Sequence, residues 1–379
     1  MAFIQSFKAA FQCIFKYKGL LIILFIGPIF LTLLFGGVYS NDYVNDMPIA
    51  ILDEDASNLS QYVANTFSVS DRFEIAYYPN SRAEMQKLMD DGTIAMGIWI
   101  PKDFERSVTA FQSAEIIAII DGSNNVVAGN AYAQATAIIQ TISAGVEMKL
   151  IAAKGMSNAM AKNTALVYNV SERILFDPKM TYMNYLMICF FAVFIQQLMM
   201  SAMGGIFNRE RETLLKGNVL INLIATTSAC IVGMTPALII SMVLLKNLFH
   251  IPIIGNLWTA SLMTLIFMFS LTGPASVLSG LTRDRVKFAQ ISFMLSVPTL
   301  VTSGCVWPLE EMPNMLKIVV QLFWPLIQFA KPLQEVLIKG RAFETVRPQV
   351  LSLVVFTIVW TLIGWQVYKR DTISPQNNI

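Results

Sequence analysis

Long apolar runs constrain this chain more than any other feature of its sequence. Crossing the hydrocarbon core of a bilayer takes about 20 predominantly apolar residues in a helix. Runs near that length fall at residues 19–39, 183–206, 219–245, 257–281, 287–306 and 350–368. Charged residues make up 14% of the chain, against roughly 25% in soluble domains. The sequence therefore predicts an α-helical polytopic membrane protein with six transmembrane helices.

Basic residues in the short connecting segments predict its orientation. Lys and Arg accumulate in cytoplasmic loops of membrane proteins. Here they occur before the first run, between the second and third, between the fourth and fifth, and after the last: Lys8, Lys16, Lys18, Arg209, Arg211, Lys216, Arg283, Arg285, Lys287, Lys369 and Arg370. We therefore expect both termini, including the tail 369–379, to be cytoplasmic. The net charge of +2 gives no indication of nucleic-acid binding.

The first 18 residues have the pattern of an amphipathic helix that lies in the cytoplasmic interface. Apolar residues recur there at helical spacing, at Phe3, Phe7, Ala10, Phe11 and Ile14. The run that follows, 19–39, resembles a secretory signal because lysines precede it. Its length exceeds the 7 to 15 apolar residues typical of a signal, so we predict an uncleaved first transmembrane helix.

Segment 40–180 differs in composition from the rest of the chain and predicts a small extracytoplasmic α/β domain, inserted between the first and second spans. Short apolar strand candidates alternate there with helical patterns. The strand candidates are 48–52, 73–78, 94–100 and 115–120. Asp55 is the predicted N-cap of the first helix, and Ser81 with Glu84 forms a predicted capping box. A long helical pattern then runs to about Lys154.

Residues that commonly perform catalysis or bind metals are sparse. Asp53, Glu54 and Asp55 supply oxygens of the type that a cation needs, but acidic residues at a strand-to-helix turn favour helix capping. His250 is the one histidine of the chain, so histidine-based triads and zinc sites lack their parts. We predict no catalytic residue, no metal site and no cofactor bound by this chain. Of the cysteines, one is expected in the cytoplasm and three in spans, namely Cys13, Cys189, Cys230 and Cys305.

The segment 207–217, between the second and third spans, is unusual for a simple chain reversal. It combines charges of both signs with good helix formers, where a plain turn would favour Gly, Asn or Pro. The residues concerned are Arg209, Glu210, Arg211, Glu212, Thr213 and Leu214. We interpret this segment as a short surface helix that docks on a partner. The alternative is a solvated charged turn.

Two further absences bear on the energy source of any transport. The chain has no Gly-Lys dipeptide and therefore no Walker-type phosphate loop. No ionisable residue lies near the centre of a predicted span, where a gradient-driven carrier would be expected to have one. The polar residues in the spans favour helix-to-helix hydrogen bonds over substrate contact. They are Gln196, Gln197, Asn222, Gln290, Ser296, Thr299 and Thr302.

The C-terminal half resembles the permease subunit of type-2 ABC exporters, the ABC-2 transporter family. The resemblance rests on PTLVTSG at 298–304, WPLEEMP at 307–313, WPL at 324–326 and LIKG at 337–340. The stretch ERETL at 210–214 is similar to the cytoplasmic coupling segment of that family, although Glu212 stands where the family usually has Gly. One span, a large exported segment and five further spans match the plan of the larger members.

This resemblance implies a transmembrane subunit of an ATP-driven exporter in the bacterial cytoplasmic (inner) membrane. Two such chains, identical or siblings, would enclose the pathway. ABC ATPase subunits would dock under 207–217 and bind ATP and Mg²⁺. Membrane lipids and a periplasmic adaptor are further candidate partners, and the expected cargo is amphipathic small molecules or lipid-like compounds.

The same resemblance implies roles for particular residues. The pathway would be lined by residues of the second and fifth spans, namely Gln196, Gln197, Met199, Met200, Met203, Phe293, Ser296, Thr299 and Thr302. Short helices within 307–345 would dip into the outer leaflet and form an outer gate around Pro308, Met312, Pro313 and Pro325.

Two other classes of protein remain open from the sequence. A membrane-anchored receptor or adhesin would use the 40–180 domain for extracellular binding, but it needs neither six spans nor a charged docking loop. A lipid-modifying membrane enzyme would need a convergent carboxylate pair or nucleophile at one interface, and Glu310 with Glu311 comes nearest to that.

Overall fold

The computed structural model describes residues 2–40, 45–153, 175–177 and 181–370. The chain divides into two compact units: a small unit, Tyr43–Arg173, and a large unit formed by Met1–Asp42 and Ile174–Ile379. The strands are β1 Met47–Asp53, β2 Phe73–Tyr77, β3 Met96–Ile100 and β4 Ile117–Ile120. The helices are α1 Ala2–Lys16, α2 Lys18–Val38, α3 Asn58–Ser68, α4 Arg82–Asp90, α5 Phe104–Thr109, α6 Asn125–Ala153, α7 Tyr182–Arg209, α8 Arg211–Leu215, α9 Val219–Asn247, α10 Leu257–Thr282, α11 Arg285–Val301, α12 Asn314–Phe323, α13 Ala330–Lys339 and α14 Phe343–Lys369.

The small unit is built on a four-stranded sheet of order β2-β1-β3-β4. β1 runs parallel to both β2 and β3, and β4 is antiparallel to β3. All four predicted strands are confirmed, as is the expected parallel pairing. A central parallel strand is covered on both faces and is therefore almost continuously apolar, which explains the run MPIAILD of β1.

Helices cover both faces of this sheet, because alternate residues of a strand point to opposite sides. On one face Ile49 and Ile98 pack with Phe67 of α3 and Ile142 of α6 in a single buried cluster. On the other face Ala50, Leu52, Ile94 and Met85 of α4 form a second, smaller cluster. The long helical pattern predicted up to about Lys154 is α6, which supplies one wall of the domain core.

The predicted cap at Asp55 is wrong about which helix it serves. Ser57 is the N-cap of α3, since its hydroxyl accepts from the Ser60 N–H at 3.1 Å while the Ser60 hydroxyl accepts from the Ser57 N–H at 2.9 Å. Asp55 instead accepts from the N–H groups of Phe104 and Glu105, each at 3.0 Å, and so caps α5. Sequence distance hid this partner, because α5 begins 49 residues further along the chain.

A second predicted cap is close to what the structure shows. The Ser81 hydroxyl accepts from the Glu84 N–H at 3.2 Å at the start of α4, as in a capping box. The Glu84 carboxylate reaches the Asn80 N–H at 2.8 Å, one residue before the expected donor.

Six described helices are long and apolar enough to cross a bilayer: Lys18–Val38, Asn125–Ala153, Tyr182–Arg209, Val219–Asn247, Leu257–Thr282 and Phe343–Lys369. Five of them coincide with predicted spans. The other, α6, packs on the sheet of the small unit. The predicted fifth span, 287–306, corresponds to α11, which has 17 residues and ends at Val301.

A glycine in the left-handed conformation explains why α11 ends before the predicted limit. The Thr302 hydroxyl donates to the Pro298 carbonyl at 2.8 Å, and the Ser303 hydroxyl donates to the Leu300 carbonyl at 2.6 Å. These bonds add partners for carbonyls of the last turn. Gly304 then adopts φ +85°, which glycine tolerates, and the chain turns away.

The large unit is organised around α7, which is buried along most of its length. It contacts α2, α9, α10, α11 and α13. The helix α1 lies against α9 and buries Ala10, Cys13 and Ile14. Its phenylalanines form a row of successive ring contacts along one face, with Phe3 and Phe15 exposed. Of the predicted apolar face, Phe3 therefore stays outside the packed core.

Proline and glycine positions adjust the helices of this unit. Pro28 lacks an N–H and removes a bond that a regular α2 would make, and the preceding turn Ile22–Ile26 is a π-helical turn. Gly273 of α10 contacts the Trp360 backbone of α14, and Gly364 contacts Ser276. Small residues let the two helices approach closely, as is common between membrane helices.

Short helices follow α11, as predicted for 307–345. A 3₁₀ turn at Leu309–Glu311 precedes α12, and a second at Pro325–Gln328 precedes α13. α13 buries most of its side chains, whereas α12 buries none.

Candidate functional site

The predicted coupling segment folds as a short helix, α8, between α7 and α9. Glu210 ends α7 and begins α8. Gly217, at φ +76°, then allows the chain to reverse. Asn218 starts α9 by accepting the Ile221 N–H at 3.2 Å. The segment is therefore an ordered corner, in agreement with the predicted surface helix.

Asn222 of α9 holds this corner from inside. Its side-chain amide donates to the Leu214 carbonyl at 2.8 Å and to the Lys216 carbonyl at 2.9 Å. Its oxygen accepts from the Ser6 hydroxyl of α1 at 2.7 Å. Leu214 is buried against the same cluster. A residue expected to make helix-to-helix hydrogen bonds thus ties α8, α9 and α1 together.

Arg211 points into the protein and does not belong to the exposed face of α8. Its guanidinium donates to the Ser279 carbonyl of α10 at 3.1 Å and lies 5.0 Å from the Tyr368 ring of α14. The Tyr368 hydroxyl in turn donates to the Phe207 carbonyl at 2.6 Å. Burial lowers the pKa of Arg211, and nearby Arg283 lowers it further. Arginine stays charged regardless, so Arg211 fixes α8 to the ends of α10 and α14.

Arg209 and Glu210 face the N-terminal helix. The Arg209 guanidinium stacks 3.9 Å from the Tyr17 ring centroid. The Cys13 thiol lies 3.9 Å from a Glu210 carboxylate oxygen and donates to it. Burial raises the pKa of Cys13 to about 11, and the negative charge of Glu210 contributes in the same direction. A cavity of about 50 Å³ lies beside this contact, between α1, α8 and α9.

The outward face of the segment consists of Glu212, Thr213 and Lys216, all exposed. The short connection between α10 and α11 and the first turn of α11 also expose charged residues, namely Arg283, Asp284, Arg285 and Lys287. The Arg211 guanidinium donates to the Ser279 carbonyl, four residues before Arg283, which places the two segments side by side. We call these exposed residues the coupling surface: Glu212, Thr213, Lys216, Arg283, Asp284, Arg285 and Lys287.

Three of the predicted pathway residues meet in one buried hydrogen-bonded group. The Gln196 amide donates to the Thr299 hydroxyl at 3.1 Å. The Gln196 oxygen accepts from the indole N–H of Trp324 at 2.7 Å. Ser296 lies one turn before Thr299 on α11 and is also buried. The group joins α7, α11 and the segment after α12.

The remaining pathway candidates do not share one surface within the chain. Met199, Met200 and Met203 are buried in the core of the large unit. Phe293 lies on the outside of α11 and is 65% exposed. Gln197 and Thr302 are half-buried.

The outer-gate candidates also lie in different surroundings. Met312 and Pro325 are buried. Pro308 and Pro313 are exposed on either side of the first 3₁₀ turn.

The sequence did not indicate the disulfide that joins Cys189 to Cys305. It links the first part of α7 to the turn that follows α11, across 116 residues. Both cysteines lie near the same predicted face of the membrane. This shared position is the sequence signal that could have predicted the disulfide. Cys13 and Cys230 are free thiols.

In the acidic cluster at 53–55, the carboxylates of Asp53 and Asp55 accept hydrogen bonds from other groups of the protein. Asp53 accepts from the N–H groups of Asp55 and Ala56 and from the Ser60 hydroxyl. Within the described ranges, no group of three or more His, Cys, Asp or Glu residues is arranged to hold a metal ion.

Comparison with known proteins identifies the family. Residues 18–365 match the family described as ABC-2 family transporter protein. The chain is 24% identical over 336 residues to the probable multidrug ABC transporter permease YbhR of Escherichia coli (strain K12), which covers 86% of this chain and 87% of that protein. It is 25% identical over 323 residues to the inner membrane transport permease YhhJ of the same strain, covering 82% of each. The chain is a multi-pass integral membrane protein that belongs to the ABC-2 transporter family.

Proposed function

We propose that this chain is the transmembrane subunit of an ATP-driven ABC exporter, and that its coupling surface docks on a separate ATPase subunit. The observation that carries this proposal is the two-sided construction of α8. Arg209, Arg211 and Asn222 fasten the segment to α1, α9, α10 and α14. Glu212, Thr213 and Lys216 remain exposed. A force applied to the exposed side therefore reaches four helices.

Orientation is supported by two independent features. The coupling surface lies at one end of α7 and carries the basic residues typical of the cytoplasmic side. The Cys189–Cys305 disulfide lies toward the other end, and disulfides persist in oxidising compartments such as the bacterial periplasm. On this proposal the small unit is extracytoplasmic and both termini are cytoplasmic.

A second permease chain completes the pathway on this proposal. The outer face of α11 exposes large apolar side chains, among them Phe293, Met294 and Val297. α12 exposes Met315, Ile318 and Leu322. A helix of 17 residues, shorter than the ~20 that a bilayer core requires, fits better against protein than alone in lipid. These faces suit a second copy or a sibling chain.

The cargo proposed is amphipathic small molecules. The observation that supports this is that the relative YbhR is described as a probable multidrug permease. ATP and Mg²⁺ are bound by the ATPase partner on this proposal, and a periplasmic adaptor is a further candidate partner.

The test is reconstitution with and without the ATPase encoded for this transporter. Vesicles that contain both subunits should export a fluorescent amphipathic dye when ATP is added, and the chain alone should neither hydrolyse ATP nor export dye. Glu212→Ala combined with Lys216→Ala should abolish ATP-dependent export, whereas Lys87→Ala in the small unit should preserve it. ATP hydrolysis by the purified chain, or normal export by the double variant, would contradict the proposal.

A further inference from the structure

A cavity of about 430 Å³ lies in the large unit between α9 and α10, with a residue of α7 at its base. Its volume is within the range of small-molecule sites, ~300–1,000 Å³. The inner wall includes Phe191 of α7, Ile231 of α9 and Met268 of α10, which are all buried. Ile239 and Leu265 also line the cavity and are exposed. The cavity is therefore a slot that opens between two membrane helices, and we call it the slot.

The slot runs lengthwise along both helices. On α9 its lining extends from Ile231 to Val243, a rise of about 18 Å. On α10 its lining extends from Leu257 to Met268, a rise of about 17 Å. Each stretch is close to the depth of one leaflet, because the hydrocarbon core of a bilayer is ~30 Å thick. The slot therefore has the length of an extended chain that lies within one leaflet.

The ends of the slot place it in one half of the membrane. Ile231 and Met268 lie near the middle of α9 and α10. Leu257, at the other end of the lining, begins α10, and its neighbour Trp258 is 86% exposed. Exposed tryptophans are typical of the membrane–water interface. The slot therefore extends from the interface at Trp258 to the centre of the bilayer, in the leaflet away from the coupling surface.

The lining of the slot favours an apolar ligand. Every described residue that lines it is uncharged. The Thr235 hydroxyl donates to the Ile231 carbonyl at 2.7 Å. The Thr264 hydroxyl donates to the Ala260 carbonyl at 2.8 Å. Because a hydroxyl has a single hydrogen to donate, neither threonine is a donor to a ligand, and the slot suits a hydrocarbon chain.

We propose that the slot binds one acyl chain of a membrane phospholipid. The head group lies at the level of Trp258, and the end of the chain reaches Ile231 and Met268. This arrangement leaves the polar head group in the interface, where it keeps its contact with water. The site goes beyond the exporter function proposed above, because binding of the lipid requires neither nucleotide nor an ATPase.

The test uses the full chain in membranes with two phosphatidylcholine probes. Each probe carries a photoreactive diazirine in one acyl chain, next to the head group in the first probe and at the end of the chain in the second. The protein is extracted and washed in detergent before irradiation, so that loosely held lipid is removed. Peptide mass spectrometry then locates the label. The first probe should label the stretch around Leu257 and Ser261, and the second should label the stretches around Ile231 and Met268.

Thr264→Phe should fill the slot and lower the retained label by about tenfold, a change of ~1.4 kcal/mol. Thr357→Phe is the matched control and should retain the label of the unchanged chain. Thr357 is also half-buried in a membrane helix, donates to its own helix at the Leu353 carbonyl at 2.7 Å, and lies outside the slot. Ser261→Phe, at an exposed position of the lining, repeats the test where folding is less at risk. Thermal unfolding of each variant shows whether the fold is kept.

Three results would overturn the proposal: no retained label in the slot, the same labelled residues with both probes, or labelling unchanged in both Thr264→Phe and Ser261→Phe. Displacement of the probes by an amphipathic dye that the transporter exports would also overturn it, because the slot would then be a cargo site. All of these measurements are made without ATP and without an ATPase. Failure of this proposal is therefore distinguishable from failure of the proposed export function.

Discussion

At the scale of single residues, the charged side chains of the coupling segment fall into two classes. Arg211 is directed into the protein, where it donates to the Ser279 carbonyl. Glu212, its neighbour, is exposed. The sequence predicted the segment but did not separate these classes, because a helix of five residues turns adjacent positions to different sides. The partners of Arg211 also lie 68 residues or more away in the chain.

This separation predicts different consequences for two adjacent substitutions. Arg211→Ala removes a charged hydrogen bond to a half-buried carbonyl and should lower the free energy of unfolding by about 1–3 kcal/mol. Glu212→Ala, at an exposed position, should change it by no more than about 0.5 kcal/mol. Thermal unfolding in detergent, followed by the fluorescence of a thiol-reactive dye, measures both. Equal melting temperatures would show that Arg211 does not anchor α8.

Asp55 gives a pH-dependent prediction for the small unit. Burial acts to raise the pKa of Asp55, but hydrogen bonds from Ser57 and from the backbone of Glu105, Phe104 and Asp103 hold it below its usual 3.8. A carboxyl with a lowered folded pKa stabilises the fold above its unfolded pKa, and this contribution is lost as the pH falls through the lower folded value.

Asp55→Ala should therefore cost about 1 kcal/mol of α5 stability at pH 7, and less as the pH falls through the lowered folded pKa of Asp55, because the carboxyl is then increasingly protonated in the unchanged chain. Hydrogen exchange of the Phe104 and Glu105 amides, relative to their intrinsic rates, measures this change. Asp71→Ala, at an exposed turn, is the control. Unaltered protection of both amides at pH 7 would contradict the assigned cap.

At the scale of elements, apolar length and periodicity predicted most of the fold. All four strands and five of the six spans were predicted in place, because each depends on a local pattern. The predicted end of α11 was wrong by five residues, since Gly304, at φ +85°, turns the chain shortly after Val301. The π-helical turn of α2 was missed because it depends on a single proline, Pro28. The cap of α5 was missed because Asp55 is distant from α5 in the chain.

The disulfide is the element-scale feature most readily tested. Cys189 and Cys305 should resist alkylation in the denatured, unreduced chain and react after reduction, whereas Cys13 and Cys230 should react without reduction. Cys305→Ser should release Cys189 for alkylation and lower stability by about 2–4 kcal/mol, because the bond closes a long loop. Peptide mass spectrometry identifies the modified residues. Alkylation of all four cysteines before reduction would contradict the assignment.

At the scale of the whole molecule, the chain combines a small α/β unit with a helical membrane unit, and the membrane unit carries the coupling surface. The family was predictable because its residues form local motifs, PTLVTSG and ERETL. The pathway was less predictable. Gln196 and Thr299 were both proposed as lining residues, and the structure brings them into one hydrogen bond. Met200 and Met203 instead fill the core, because apolar residues of a central helix face several neighbours.

Site-specific photocrosslinking tests whether an ATPase docks on the coupling surface. A photoreactive amino acid at Thr213, which is exposed on α8, should crosslink to the ATPase subunit in membranes that contain both proteins. The same amino acid at Lys87, exposed on α4 of the small unit, should give no such product. Crosslinking from position 213 alone is the predicted result. Crosslinking from position 87, or none from position 213 in a complex that exports its cargo, would show that the ATPase does not dock on α8.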